Sequence, residues 1–149
     1  VLVARTFSKS YALAGLRVGY VVGSETLIEA MFKIKDSYNM DAFTQHIARA
    51  ALRDVAYMRA MAEKIKTTRT RVAGALSAMG CEVTPSESNF LWVRPRGMTA
   101  RDLYETLKRR GILIRYFTGP RVDAYVRITV GTDEQMDTLL HAMRELMRE

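Results

Sequence analysis

Met58, Ile65, Val72 and Met79 recur every seven residues with Leu76 beside them, and the run closes at Gly80. An apolar stripe of that period marks one face of a helix. A glycine just beyond it is a common place for a helix to stop. The spacing predicts one long helix near the middle of the chain, and the sequence is organised differently on its two sides. Before it, Val1–Ala4 reads as a short buried strand and Arg17–Val22 as a second apolar run bounded by Gly15 and Gly23. Ser24 then reads as the N-cap of a helix, with Glu25 suited to its positive end and Leu27, Ile28 and Met31 as its apolar face. The chain turns into another short helix around Tyr38–Asp41. After the long helix, strands are expected at Cys81–Thr84, Asn89–Val93, Ile112–Tyr116 and Tyr125–Val130. Helices are expected at Thr99–Arg110, closed by Gly111, and from Thr132 onward. Gln135 completes a capping box with Thr132, and Met136, Leu139, Leu140 and Met143 form the apolar face of that last helix.

That order defines an α/β chain in two parts: strand–loop–strand–helix, as at the end of a larger sheet, then a small α/β sandwich with helices on one face. The division is placed inside or just before the long helix, and is set at residues 1–52 and 53–149. A hydrophobic fraction of 48% over 149 residues is enough for a core of its own. Twenty-three basic against sixteen acidic residues give a net charge of +7, which favours anionic partners without choosing among phosphate-bearing small molecules, nucleic acid or an acidic surface. The single Cys81 excludes an internal disulfide and fits a reducing compartment. No apolar run reaches membrane-spanning length and no leader precedes Val1, so a soluble, cytoplasmic protein is expected. The chain starts without methionine inside a strand-like run, which points to a fragment of a longer protein.

The chemistry is concentrated in R-T-F-S-K-S-Y-A-L-A-G-L-R-V-G-Y, residues 5–20. Lys9 lies between two serines after an apolar strand, with Arg5 and Arg17 near it in sequence. A lysine acts as a covalent catalyst when its amine is neutral, a state that burial or nearby cations favour. Thr6, Ser8 and Ser10 offer hydroxyl donors, and Arg17 offers a two-pronged cation suited to a phosphate dianion. Gly15 and Gly19 would let the backbone approach closely. An isolated Ser-Lys pair is more often a solvated loop. His46 and His141 lack metal-ligand spacing and read as structural, so no metal site is expected.

The full stretch resembles the lysine segment of the fold-type I pyridoxal-phosphate aminotransferases, and within them the histidinol-phosphate aminotransferase family. S-N-F-L-W-V (88–93), G-I-L-I-R-Y-F (111–117) and V-R-I-T-V-G-T (126–132) follow in that family's order. The resemblance implies that residues 1–52 end the large, cofactor-binding sheet domain and that residues 53–149 are the small C-terminal domain. It makes Lys9 the lysine that bonds pyridoxal 5'-phosphate and shuttles the substrate proton, with Arg17, Ser8 and Thr6 holding the cofactor phosphate. Arg127 matches the arginine that grips the substrate carboxylate, Arg115 a second pocket arginine near the phosphate end, and Asn89 a residue lining the same pocket. The implied reaction is transamination of histidinol phosphate with 2-oxoglutarate in histidine biosynthesis, by a homodimer. A related aromatic aminotransferase or threonine-phosphate decarboxylase stays open. So does an aminotransferase-like sensor domain of a transcription regulator, although no helix-turn-helix signature or basic stripe appears and the charges lie on helix faces. Neither nucleic acid nor membrane is expected as a partner. The family's glycine-rich phosphate loop, ring-stacking aromatic and pyridinium-pairing aspartate are not in the sequence, so the chain alone is expected to be inactive and to hold cofactor poorly.

Overall fold

The computed structural model describes residues 1–147, which gather into two compact units, Val1–Ala62 and the remainder from Glu63. In the first unit β1 (Val3–Thr6) and β2 (Gly19–Val22) form an antiparallel pair, with Val3 opposite Val22 and Thr6 opposite Gly19. Glycine is required at 19, because a Cβ there would lie 2.6 Å from the Arg5 carbonyl oxygen across the ladder. Then come α1 (Glu25–Ile34), α2 (Ala42–Arg53) and the start of α3 (Val55–Ala78). Ser24 occupies the α1 N-cap, but its side chain makes no capping bond; its carbonyl accepts from the Leu27 and Ile28 amides instead. Asp41 caps α2 by accepting from the Thr44 amide at 2.9 Å, and Thr44, through its hydroxyl first and its amide second, holds the Asp41 carboxyl below the usual range.

The opening strand differs from its sequence reading in position and burial. It runs Val3–Thr6 rather than Val1–Ala4, and all four of its residues are exposed, as are Val1 and Leu2. A two-stranded ribbon has no layer over its faces, so apolar side chains stay in water even where the ladder is complete. The core of this unit is small: Phe7, Val18 and Ala48, with Tyr11 and Leu13 packed against them.

The second unit has the larger core. β3 (Glu82–Thr84), β4 (Phe90–Arg94), β5 (Arg115–Tyr116) and β6 (Val126–Thr129) form one sheet in the order β3-β4-β6-β5, every neighbouring pair antiparallel. α4 (Ala100–Arg109) and α5 (Asp133–Leu146) join the C-terminal half of α3 in covering it. Strand side chains alternate between faces. Leu91 and Val93 of β4 and Val126 and Ile128 of β6 enter the core with Val72, Leu76, Leu103, Leu107 and Leu140. Trp92 and Arg127 therefore belong to the opposite, helix-free face. This is the small α/β sandwich that the alternation of elements predicts.

The helix ends follow the sequence closely. Gly80 adopts φ +85 after α3, and the Cys81 amide returns to the Leu76 carbonyl. Both halves of the Thr132–Gln135 capping box are formed at α5. The strand expected at Ile112–Tyr116 shortens to its last two residues. Gly111 turns left-handed and the Ile112 amide donates to the Leu107 carbonyl, so that donor serves the end of α4 and not a ladder. Arg71 of α3 bridges Asp133 and Asp137 of α5, and the Thr68 hydroxyl donates to Asp133. The compact units divide within α3.

Candidate functional site

Residues 7–18 form a pinned excursion between β1 and β2. The Phe7 amide donates to the Val18 carbonyl and the Leu13 amide to the Phe7 carbonyl, both at 3.1 Å. The Phe7 ring lies 5.3 Å from Tyr11 and 5.8 Å from Tyr20, which anchors the base of the loop. Lys9 stands on this loop, exposed, and its amine has no hydrogen-bond or ion-pair partner among the described residues. Its carbonyl accepts from Ala12, one of three non-glycine residues with positive φ. Thr6 Oγ1 donates to Ser8 Oγ at 2.9 Å and accepts from the Ser8 amide at 3.0 Å, so the two hydroxyls are tied together. Arg17 is held in the left-handed region at φ 54, ψ 42, with Nη1 donating to the Ala14 carbonyl at 2.7 Å. The close approach expected of the two glycines is found at Gly19 only; a side chain at Gly15 would meet nothing within 4 Å. The loop thus carries an unencumbered primary amine, two linked hydroxyls and a guanidinium.

A second cluster lies on the helix-free face of the four-stranded sheet. Arg115 of β5 sits directly opposite Arg127 of β6, and Arg127 is also opposite Trp92 of β4. The Arg127 guanidinium carbon is 5.5 Å from the Phe90 ring and 5.6 Å from the Phe117 ring; that of Arg115 is 5.3 Å from Phe117. Trp92 lies 5.7 Å from Phe117 and stacks on Tyr125 at 5.5 Å. The Tyr125 hydroxyl donates to Glu82 at 2.8 Å, and that bond raises its pKa above the ordinary phenol value. Arg127 Nε is buried with no hydrogen-bond partner among the described residues. Neither Arg115 nor Arg127 meets a carboxylate among them. Like charges placed opposite each other across a ladder repel, and a buried donor without an acceptor is costly. An oxyanion between the two guanidinium groups would offset their repulsion.

Asn89 lies one residue before β4; its carbonyl accepts from the Val130 amide at 2.9 Å, and its side chain makes no bond among the described residues. The loop ahead of it is held by Arg69, a buried cation on α3 that donates to the Ser88 carbonyl and to Glu87, both at 2.8 Å. Sequence reasoning missed Arg69, since nothing distinguishes it from the other cations of that helix. It also missed Phe90 and Phe117 as arginine neighbours, although the alternation of faces from Arg115 to Phe117 and from Phe90 to Trp92 carries that signal. His46 is exposed on α2, and His141 lies 3.3 Å from Glu145 on α5. The described residues hold no group of three or more His, Cys, Asp or Glu side chains placed for a metal and no helix long and apolar enough to cross a membrane.

A mixed α/β fold that carries a lysine–hydroxyl–arginine loop and an arginine-bearing sheet face is what the comparisons with known proteins join to one family. The chain belongs to the aminotransferase class I and II family, which it matches over residues 1–143. It is 48% identical over 146 residues to a histidinol-phosphate aminotransferase of Synechocystis sp., covering 98% of this chain and 42% of that protein. It superposes with a TM-score of 0.86 on the crystal structure of histidinol-phosphate aminotransferase from Sinorhizobium meliloti in complex with pyridoxal-5'-phosphate. That match is 34% identical and covers 99% of this chain and 41% of that one. L-threonine-O-3-phosphate decarboxylase from Porphyromonas gingivalis shares the fold at 25% identity and a TM-score of 0.84, over 99% of this chain and 47% of that one. The chain spans about two fifths of the length of the curated relatives it matches.

Proposed function

We propose that this chain supplies the covalent lysine, the cofactor-phosphate residues and the substrate arginines of a pyridoxal-phosphate-dependent transaminase acting on histidinol phosphate and 2-oxoglutarate. The observation that carries this reading is the lysine segment, where the unencumbered Lys9 amine, the linked Thr6 and Ser8 hydroxyls and the Arg17 guanidinium all fall within residues 6–17. That donor set fits an aldehyde bearing a phosphate: an amine for the carbonyl carbon, and N–H and O–H donors for the dianion. The curated relatives at 48% and 46% identity are named histidinol-phosphate aminotransferase, which favours transamination of histidinol phosphate over the decarboxylase alternative. Residues 1–52 are assigned to the cofactor domain and 53–149 to the small domain of such an enzyme. A homodimer is proposed on the family resemblance alone; exposed Phe32, Ile34, Phe43 and Tyr57 belong to a chain that spans about two fifths of its relatives' length. The buried free thiol of Cys81, pushed up in pKa by desolvation, agrees with a cytoplasmic setting.

When bound, the cofactor ring supplies the electron sink for the carbanion left as substrate Cα loses its proton. Lys9 Nζ has two tasks. It would bond the cofactor at rest and, as the free amine, would be the base that takes the substrate Cα proton and the acid that delivers that proton on the cofactor side. Arg17, Ser8 and Thr6 would hold the phosphate and so fix where the amine acts. Arg127, with Arg115 beside it, binds the anionic end of the substrate and sets which Cα bond is presented, the positioning that makes a single proton transfer efficient.

Trp92 is the chain's only tryptophan and lies on the arginine-bearing face, so its fluorescence reports binding there. Histidinol phosphate is expected to perturb it at lower concentration than L-threonine O-3-phosphate does. The reverse order would favour the decarboxylase reading, and no response to either would overturn the substrate assignment.

A further inference from the structure

Phe117 is the one ring that both substrate arginines share. Its centroid lies 5.3 Å from the Arg115 guanidinium carbon and 5.6 Å from that of Arg127, and Trp92 buttresses it at 5.7 Å. Arg115 and Arg127 face each other across the β5–β6 ladder, which brings their Cβ atoms within roughly 5 Å and leaves two long cationic side chains free to swing apart. Nothing acidic restrains them among the described residues. An aromatic face attracts guanidinium through its quadrupole, so one ring within reach of both arginines draws both cations toward the same point. Phe90 adds a second ring for Arg127 alone, at 5.5 Å. Repulsion between the guanidinium groups is thereby opposed without a counter-charge, which would compete with the ligand for the same donors.

We propose that Phe117 is a positioning residue for substrate recognition: it gathers Arg115 and Arg127 into one preformed receptor for an oxyanion, while touching no reacting atom itself. The proposal rests on the reading of these arginines as the substrate's anion site. It assigns Phe117 a role separate from packing. A leucine at 117 would keep apolar volume but remove the π face, whereas a tyrosine would keep it.

The test is calorimetric titration of the full chain at low salt with inorganic phosphate and, separately, with acetate, repeated on Arg127→Gln, Phe117→Leu and Phe117→Tyr. Phe117→Leu is expected to weaken binding of the preferred anion by about three- to tenfold, the span of a cation–π contact at a partly solvated site. Phe117→Tyr is expected to bind as the parent does, since it keeps the π face; because it keeps the packing as well, a thermal melt of Phe117→Leu at the parent's temperature is what separates weakened anion binding from lost packing. Circular dichroism establishes that each variant is folded. If Phe117→Leu does not fold, Phe117→Met takes its place, and parent-like anion binding by that folded, ring-free variant would overturn the proposal. Anion binding lost in Arg127→Gln but unchanged in Phe117→Leu would overturn the role of Phe117 and leave the arginine site standing. No binding of either anion by the parent chain would overturn both.

Discussion

Arg17 offers a perturbation in which fold and function are separable. It sits at φ 54, ψ 42, a backbone region that costs most side chains roughly 1–2 kcal/mol and that asparagine tolerates better. Its Nη1 bond to the Ala14 carbonyl is solvent-exposed and contributes about 1 kcal/mol. Arg17→Asn removes that bond and relieves part of the backbone strain, so the two changes nearly offset and the melting temperature is expected to move little. The cofactor phosphate, however, loses a charge-assisted partner. Such bonds contribute about 1.5–3 kcal/mol, or roughly tenfold to a hundredfold in affinity. The assay is the concentration of pyridoxal phosphate needed for half-maximal borohydride-trapped adduct, measured beside a thermal melt. Arg17→Asn that traps cofactor at the parent's concentration would refute the assignment of Arg17 to the phosphate. A melt lowered by several degrees would refute the offset between strain and bond.

Three further outcomes follow from the second unit. Arg127→Gln is expected to abolish the Trp92 response to histidinol phosphate while leaving cofactor trapping unchanged; loss of both would contradict the division of labour between the two clusters. Leu103 is fully buried in the core of this unit, so Leu103→Ala is expected to destabilise it by about 2–5 kcal/mol, read by urea unfolding. Asp133 is held below the ordinary carboxylate range by Arg71 first and by Thr68. A depressed native pKa contributes stability that is complete above the unfolded value of about 4 and is lost as pH falls through the native value. Acid unfolding of Asp133→Asn is therefore expected to depend less steeply on pH below about 4 than that of the parent, and an unchanged profile would refute the linkage.

Much of the second unit was legible because its signals are local. Glycines 80 and 111 mark helix ends, Thr132 and Gln135 spell a capping box, and the α5 positions Met136, Leu139, Leu140 and Met143 are buried as their spacing requires. The first unit was less legible for a physical reason. Val1–Ala4 reads as buried because its residues are apolar, but burial depends on a neighbouring layer that local pattern does not encode, and the observed ribbon leaves them exposed. Lys9, Arg17, Arg115 and Arg127 were found through motif resemblance, and none stands out by composition. The pairing of Arg115 with Arg127 depends on strand register, which the shortened β5 made hard to count. Arg69 and its hold on the Ser88 carbonyl join residues nineteen apart in sequence, a link that no periodicity announces.

The most direct measurement of the central claim is where pyridoxal phosphate becomes fixed. The full-length enzyme incubated with the cofactor, reduced with borohydride and digested should carry the phosphopyridoxyl group on the peptide containing Lys9, and Lys9→Ala should remove it from that peptide without transferring it elsewhere. Label distributed over Lys33, Lys35 and the other lysines, with no preference for Lys9, would contradict the account.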